Sequence, residues 1–131
     1  MSALTVVPSS LSYANAVGRL IEAVEQHGLA LLARVDHAAG ARAAGLELAS
    51  EEVLYFGNAA AGTPLMQSDP RVGIELPLRM LIWRDPDGTR LAYHDPRELS
   101  QSYDLAGGTD TLEKMNALLG QLAAAAAGYG E

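Results

Sequence analysis

A helical pattern of apolar residues changes to a strand-like pattern at Gly28, and this change constrains the fold more than any other feature of the sequence. Four side chains recur at the i, i+3, i+4, i+7 spacing of one buried helix face, namely Val17, Leu20, Ile21 and Val24. Gly28 suits the left-handed residue just past a helix end. The apolar run over 29–35 follows at once and indicates a buried strand. A chain that joins an amphipathic helix so closely to a buried strand needs a helical layer packed on a sheet.

The rest of the chain continues to alternate between strand and helix signals. Short apolar runs predict strands over 4–7, 53–56, 78–83 and 90–94, and a strong turn signal at 85–88 predicts a hairpin between the last two. Helices are predicted over 37–44, for a single turn at 65–67, and over 110–127. We therefore expect one α+β domain over residues 1–131, with a mostly antiparallel sheet and helices on one face. The spacing of the elements leaves the strand order open.

Composition narrows the classes of partner. The 131 residues are 49% hydrophobic, which is enough to bury a core without disulfides or a structural metal. A net charge of -7 with only nine scattered Lys and Arg residues predicts no binding to nucleic acid or to an anionic membrane. The absence of cysteine excludes thiolate metal sites and a cysteine nucleophile. Neither a membrane-spanning segment nor a signal-peptide pattern is found, so the cytoplasm is the expected location.

Asp36 and His37 lie at a predicted junction between a strand and a helix, where functional groups often collect. A carboxylate beside an imidazole suits acid–base chemistry or metal binding, which leaves open a metal-dependent enzyme that uses these two residues. A helix-capping role also accounts for Asp36, and His37 is then a packed or hydrogen-bonded side chain. His94 could join such a metal site, but the histidine spacing matches no zinc signature, so we assign no metal ligand.

The segment over 58–66 is rich in small residues and ends at a predicted helix start. Thr63 is the expected N-cap and Pro64 the first helical residue, so free backbone amides there could hold a carboxylate or a phosphate. The lysine of a phosphate-binding loop is absent. The alternative is a close-packed turn in which Asn58 and Gly62 supply unusual backbone angles.

Tyr93 and His94 are adjacent on the predicted hairpin and point to opposite faces of the sheet, so only one of them should be buried. With them, the candidate ligand-binding residues are Asp36, His37, Asn58, Gly62, Thr63, Tyr93 and His94. No catalytic residue and no cofactor is assigned.

Several short stretches occur in an order that resembles one protein family. They are VDHAA at 35–39, GLEL at 45–48, LYFGN at 54–58, GTPLM at 62–66 and LPL at 76–78, followed by Trp83, Asp85, Gly88, Tyr93 and Asp95-Pro96. Together they resemble the family known as domain of unknown function 302, over about residues 12–103. The resemblance implies a compact α+β fold like the half-domain of the TATA-binding protein, and a tendency to form homodimers. It implies no established activity.

Three functions stay open on this basis. The preferred hypothesis is a dimeric module that binds a small molecule or an anion through the residues named above. The second is a structural or partner-binding homodimer in which those residues only hold the fold. The third is the metal-dependent enzyme based on Asp36 and His37.

Overall fold

The computed structural model describes residues 4–129, in which five strands form one antiparallel sheet. The strands are β1 (Leu4–Ser9), β2 (Ala30–Asp36), β3 (Glu51–Gly57), β4 (Leu78–Asp85) and β5 (Gly88–His94). Their spatial order is β1-β5-β4-β3-β2. The predicted α+β class, the antiparallel sheet and the hairpin of β4 and β5 are confirmed, and the structure supplies the strand order that the sequence left open.

Four α-helices and two 3₁₀ helices complete the fold. The α-helices are α1 (Tyr13–Gln26), α2 (His37–Ala43), α3 (Ala59–Ser68) and α4 (Thr109–Ala126). The first 3₁₀ helix is Pro70–Glu75 and the second is Pro96–Gln101. The 3₁₀ helices follow α3 and β5 directly, and the sequence pattern did not predict them.

The main core lies between the sheet and the pair α1 and α4. In the sheet register Leu54 lies opposite Met80, and Ile82 lies opposite Leu91, and all four side chains are fully buried. They pack in one cluster with the predicted apolar face of α1 and with the C-terminal half of α4, including Leu122. Burying a side chain of this size contributes about 1.5–3 kcal/mol, so these elements fold as one unit.

A second apolar cluster continues from the core beyond the end of the sheet. It consists of Leu65 from α3, Val72 from the first 3₁₀ helix, Leu105 from the loop before α4, and Leu112 and Met115 from α4 itself. This cluster fixes α3 and the first 3₁₀ helix to the N-terminal half of α4. The end of the sheet next to these elements is therefore a rigid environment for a site.

Helix α1 ends in the glycine motif that the sequence predicts. Gly28 has φ 73, its N–H donates to the Glu25 carbonyl at 3.0 Å, and the Leu29 N–H donates to the Val24 carbonyl at 3.0 Å. The two hydrogen bonds satisfy carbonyl groups at the helix end and turn the chain directly into β2. The predicted strand is present, but its predicted burial is wrong, because β2 is an edge strand and most of its residues are exposed.

The segment after β3 differs from the prediction. Helix α3 begins at Ala59, and its N-cap is Asn58, whose Oδ1 accepts the Ala60 N–H at 2.8 Å. Thr63 lies inside the helix and is exposed, and Pro64 follows it within the same helix. Asparagine caps at least as well as threonine, and the alanines at 59–61 have the highest helix propensity, so the helix starts early despite the proline.

The glycine motif of α1 gives a stability prediction with an internal control. Gly28→Ala should destabilise the protein by about 1–2 kcal/mol, because a residue with a Cβ is strained in the left-handed region. Gly18→Ala in the same helix should stabilise by about 0.5–1 kcal/mol, because Gly18 is exposed and an added Cβ meets nothing within 4 Å. Urea unfolding of the two variants measures both changes. An unchanged midpoint for Gly28→Ala would contradict the role assigned to this residue.

Candidate functional site

The candidate residues chosen from the sequence lie at opposite ends of the sheet. In the pairing of β2 with β3, Asp36 lies opposite Glu52 at one end and Ala30 lies opposite Gly57 at the other. Asn58 follows Gly57, so it is separated from the Asp36 end by the length of β3, about 20 Å at 3.4 Å per residue. The structure therefore does not combine the two groups of candidates in one site.

Asp36 caps helix α2, which is one of the two roles predicted for it. Its Oδ1 accepts the Ala39 N–H at 2.9 Å. His37 is the first residue of α2 and is exposed, and its side chain makes no hydrogen bond with residues 4–129, so it is neither packed nor hydrogen-bonded as that alternative required. His37 and His94 occupy opposite ends of the sheet and cannot share an ion. Within residues 4–129, no group of three or more histidine, aspartate or glutamate side chains is arranged to hold a metal.

Asn58 and Gly62 line a groove of about 620 Å³ whose other walls are mostly apolar. Neither residue needs a left-handed backbone, since Asn58 has φ -146 and Gly62 lies within α3. A Cβ at Gly62 would lie 3.4 Å from Leu76 Cδ1, which is a close contact with the end of a flexible side chain. The Ala60 N–H donates to Asn58 Oδ1, and the N–H groups of Ala61 and Gly62 donate to the Asn58 carbonyl. The start of α3 thus leaves few free amides that could hold the predicted carboxylate or phosphate, and Thr63 does not line the groove.

Tyr93 and His94 follow the predicted alternation, because Tyr93 is 9% exposed and His94 is exposed. Tyr93 packs in the main core. Burial, with a contribution from the negative charge of Asp95, raises the pKa of the Tyr93 phenol. His94 instead lines a second cavity, which has a different character from the apolar groove.

This second cavity, called here the polar cleft, has a volume of about 140 Å³ and lies at the end of β4 and β5. Its polar lining consists of Glu75, Arg79, His94, Asp95, Glu98, Ser102 and Tyr103. Its apolar lining includes Leu78, Leu99 and Leu119. The residues come from β4, β5, both 3₁₀ helices and α4, so five elements of the fold meet there.

The wall of the polar cleft that the sheet provides is basic. The pairing of β4 with β5 ends where Leu81 lies opposite Ala92, and Arg79 and His94 each lie two residues beyond that pair. Both residues line the polar cleft. Within the described part of the chain, neither side chain forms an ion pair or a side-chain hydrogen bond.

The wall that the 3₁₀ helices provide is acidic. Asp95 caps the second 3₁₀ helix and is paired with Arg97, whose Nε and Nη2 donate to its carboxylate at 3.0 and 2.7 Å. The Arg97 guanidinium thereby lowers the pKa of Asp95. Glu98 differs, because its Oε1 is buried and has no hydrogen-bond partner among residues 4–129. The chain itself therefore supplies no donor to this oxygen within residues 4–129.

Glu75 is held in the acidic wall by a chain of contacts that begins at Asp69. The Asp69 carboxylate accepts the Arg71 Nη2 hydrogen at 2.8 Å and the Asp104 N–H at 2.9 Å. The Arg71 guanidinium lies 5.8 Å from the centre of the Tyr103 ring. The Tyr103 hydroxyl donates to Glu75 Oε2 at 2.7 Å, and this hydrogen bond is the main cause that raises the pKa of Tyr103.

A buried polar cluster at the opposite end of the sheet has no such missing partner. Glu52 is 3% exposed, its Oε1 accepts the Arg34 Nε hydrogen at 2.8 Å, and its Oε2 accepts the Tyr13 hydroxyl at 2.8 Å. Burial and the hydrogen bond to Glu52 raise the pKa of Tyr13. Both carboxylate oxygens are satisfied from within the chain, so this cluster supports the fold.

Sequence reasoning identified His94 and missed the other charged residues of the polar cleft. A local signal exists for Glu98, since Asp95 followed by Pro96 and then by Glu98 is a typical helix start. Glu75 and Arg79 carry no such signal. They reach the cleft only because the first 3₁₀ helix packs beside the end of β4.

The chain matches the sequence profile of the family described as "Domain of unknown function DUF302" over residues 5–122. This chain belongs to the DUF302 family. The expected family membership is therefore confirmed, and the match extends beyond the region over which the resemblance was noted.

Relatives of this DUF302 chain include proteins named fluoride-specific ion channel FluC 1. The sequences from Brucella suis biovar 1 and Brucella abortus biovar 1 are each 39% identical to it over 114 residues. These matches cover 86% of this chain but only 45% and 42% of the two relatives. This chain thus spans less than half the length of these relatives, and residues 4–129 contain no helix that is long and apolar enough to cross a membrane.

A solved structure supports the fold of the DUF302 chain. The crystal structure of an uncharacterized conserved DUF302 protein from Bacillus stearothermophilus superposes with a TM-score of 0.82 at 17% sequence identity. The match covers 91% of this chain and 94% of that one. At this identity the similarity shows a common fold.

The contacts of Asp69 predict a specific dependence of stability on pH. The Arg71 guanidinium and then the Asp104 N–H hold the pKa of Asp69 well below its ordinary value of 3.8. Its native carboxylate therefore stays ionised while the unfolded one becomes protonated, so its stabilisation is complete above about pH 4 and declines as the pH falls. Asp69→Asn should be less stable at pH 7 and should lose less stability on acidification.

Urea unfolding at pH 7, 4 and 3 measures this difference. Asparagine can still cap the first 3₁₀ helix through one oxygen, but it cannot accept the hydrogen bonds that Arg71 Nη2 and the Asp104 N–H make to the second oxygen, so the substitution removes these bonds together with the charge. Asp87→Asn is the control, because the Asp87 side chain is exposed and makes no hydrogen bond or ion pair with other described residues. Equal acid sensitivity of Asp69→Asn and the parent protein would show that the Asp69 contacts do not stabilise this wall.

Proposed function

We propose that this chain is a binding module for a small polar molecule or ion and that the polar cleft is its binding site. The observation that carries the proposal is Glu98, which lines this cavity, forms no ion pair within residues 4–129 and has one oxygen, Oε1, that is buried without a donor from that part of the chain. Folded proteins leave few buried polar atoms without a partner, so a bound small molecule or a bound water can complete the hydrogen bonding of this side chain. Arg79 and His94 on the other wall add hydrogen-bond donors for the same molecule.

The size of the polar cleft sets the scale of the ligand. Its 140 Å³ has room for about five groups of the size of a water molecule. Nucleotides and long acyl chains are therefore too large to fit within it. The metal-dependent enzyme has less support, because Asp36 is occupied as a helix cap and neither Asp36 nor His37 lines the cleft.

The Brucella relatives suggest a setting for the module. They are named as fluoride-specific ion channels, and this chain corresponds to less than half of their length. We therefore extend the proposal. The module works together with a transport activity, and it responds to a small solute. Fluoride therefore belongs among the ligands to be tested.

Homodimerisation is a second candidate function, and a different observation favours it. One residue from each strand forms an apolar row on the sheet face opposite the main core, in the order Val6, Ala92, Leu81, Val53 and Val35. Val6 and Val35 at the ends of this row are 51% and 42% exposed. Ala92 and Val53 within the row are buried. A second copy of the chain is the proposed occupant, since the row runs across all five strands and its two exposed ends could both be covered in a two-fold contact.

If a ligand binds in the polar cleft, a bulky side chain introduced there should block its binding. Ser102 lines the cleft, so Ser102→Trp should fill it and abolish binding, whereas Gln101→Trp places the same side chain next to the cleft and should leave binding intact. Amide chemical shifts are followed while sodium fluoride and a library of small polar fragments are added. Binders should shift the signals of His94, Ser102 and Tyr103. The proposal fails when no compound shifts these signals, or when the shifts persist in Ser102→Trp.

The dimer predicts a concentration-dependent mass. Val6→Glu places a charge at the exposed end of the apolar row and should shift a dimer to monomer in sedimentation or light scattering. Ile74→Glu is the control, because Ile74 is 80% exposed and lies in the first 3₁₀ helix, outside the row. A monomeric parent protein at micromolar concentration would exclude this candidate.

A further inference from the structure

We infer that the ligand of the polar cleft is a small zwitterion whose ammonium group faces Glu98 and whose acidic group faces Arg79. This inference rests on the proposed function, because it names the class of molecule that the same cleft would bind. It follows from the way in which charges are divided between the two walls of one cavity.

The basic wall carries a charge that the chain does not neutralise. The Arg79 guanidinium forms no ion pair with any carboxylate among residues 4–129, although acidic side chains line the same cleft. His94 lines the same cleft and adds ring nitrogens that can donate or accept. An acidic group of a ligand would find two partners on this wall.

The acidic wall is also only partly neutralised. Asp95 is fully engaged by Arg97, which also reaches Glu113 on α4 at 3.5 Å. Glu75 accepts the neutral Tyr103 hydroxyl but has no ion pair within the described chain. Glu98 has a buried oxygen with no partner at all in that range. Two carboxylates that form no ion pair among residues 4–129 therefore line this wall, where a cationic hydrogen-bond donor can approach them.

A ligand with a single charge would satisfy one wall and disturb the other. An anion on Arg79 would leave Glu98 Oε1 without a donor and would face the carboxylates of Glu75 and Glu98. A cation at Glu98 would leave Arg79 without an acceptor and add a second positive charge nearby. A zwitterion supplies a donor to the acidic wall and an acceptor to the basic wall, and both contacts are charge-assisted hydrogen bonds, which are about twice as strong as neutral ones.

The apolar lining and the volume limit the molecule between the two charged groups. Leu78, Leu99 and Leu119 give a short hydrocarbon surface, and 140 Å³ leaves room for few atoms besides the two charged ends. Small amino acids have this size and this arrangement of charges. Glycine is the smallest probe of the class, and acetate and methylammonium are its two charged halves.

The test compares these three probes on the full chain by amide chemical-shift titration. Glycine should bind more tightly than either acetate or methylammonium. Glu98→Gln should weaken glycine by about tenfold or more and leave acetate unchanged or more tightly bound, whereas Arg79→Gln should weaken glycine and acetate and leave methylammonium unchanged or more tightly bound. Glu25→Gln and Arg84→Gln, which make the same chemical changes at exposed positions outside the polar cleft, should alter none of the three affinities.

The outcomes separate this inference from the function on which it rests. Binding of acetate alone or methylammonium alone at the His94 and Ser102 signals would overturn the zwitterion and keep the cleft as a binding site. Failure of glycine to bind, while other fragments bind there, would have the same meaning. If none of the compounds binds in the cleft, the proposed function itself is overturned. Because the three probes are compared on the parent protein, the first two results do not depend on any variant folding.

Discussion

The packing of helix α4 is the interaction on which the rest of the structure depends. Its C-terminal half contributes Leu119 and Leu122 to the main core, and its N-terminal half contributes Leu112 and Met115 to the second cluster. One helix thus fixes the sheet on one side and the first 3₁₀ helix on the other. The polar cleft exists because α4 holds the sheet and the first 3₁₀ helix close together, beside the start of β4 and the end of β5, without closing the space between them. Leu119, which is fully buried, belongs to the core and also lines the cleft.

The supporting shell of the cleft is better satisfied than the cleft itself. Asp69, Arg71 and Tyr103 form a continuous set of contacts that ends on Glu75, and Arg97 links Asp95 to α4. In this arrangement, residues with complete hydrogen bonds surround groups with incomplete ones, which is what a binding site needs. The surrounding contacts hold the binding side chains rigid, so these side chains lose little entropy when a ligand binds. A site formed only by exposed loop residues would lack this pre-organisation.

The sequence predicted most of the fold because its signals for the fold are local. The apolar face of α1, the glycine motif at Gly28 and the Asp36 cap each depend on residues within one turn, and all three are present in the structure. The start of α3 was predicted wrongly because two good caps, Asn58 and Thr63, compete over a few residues. The cleft was largely missed for a different reason. Its charged residues come from positions between 75 and 103, and only the strand register and the packing of the 3₁₀ helices bring them together.

The two ends of the sheet show why the satisfaction of hydrogen bonds, and not residue type, identifies the site. Both ends combine a glutamate, an arginine and a tyrosine. At one end Glu52 is bound by Arg34 and Tyr13, both of its oxygens are occupied, and no capacity remains for another molecule. At the other end Tyr103 occupies one oxygen of Glu75, Arg79 has no partner in residues 4–129, and Glu98 Oε1 is buried without a donor. The same three residue types stabilise the fold where their contacts are complete, and they provide a recognition surface where those contacts are left open.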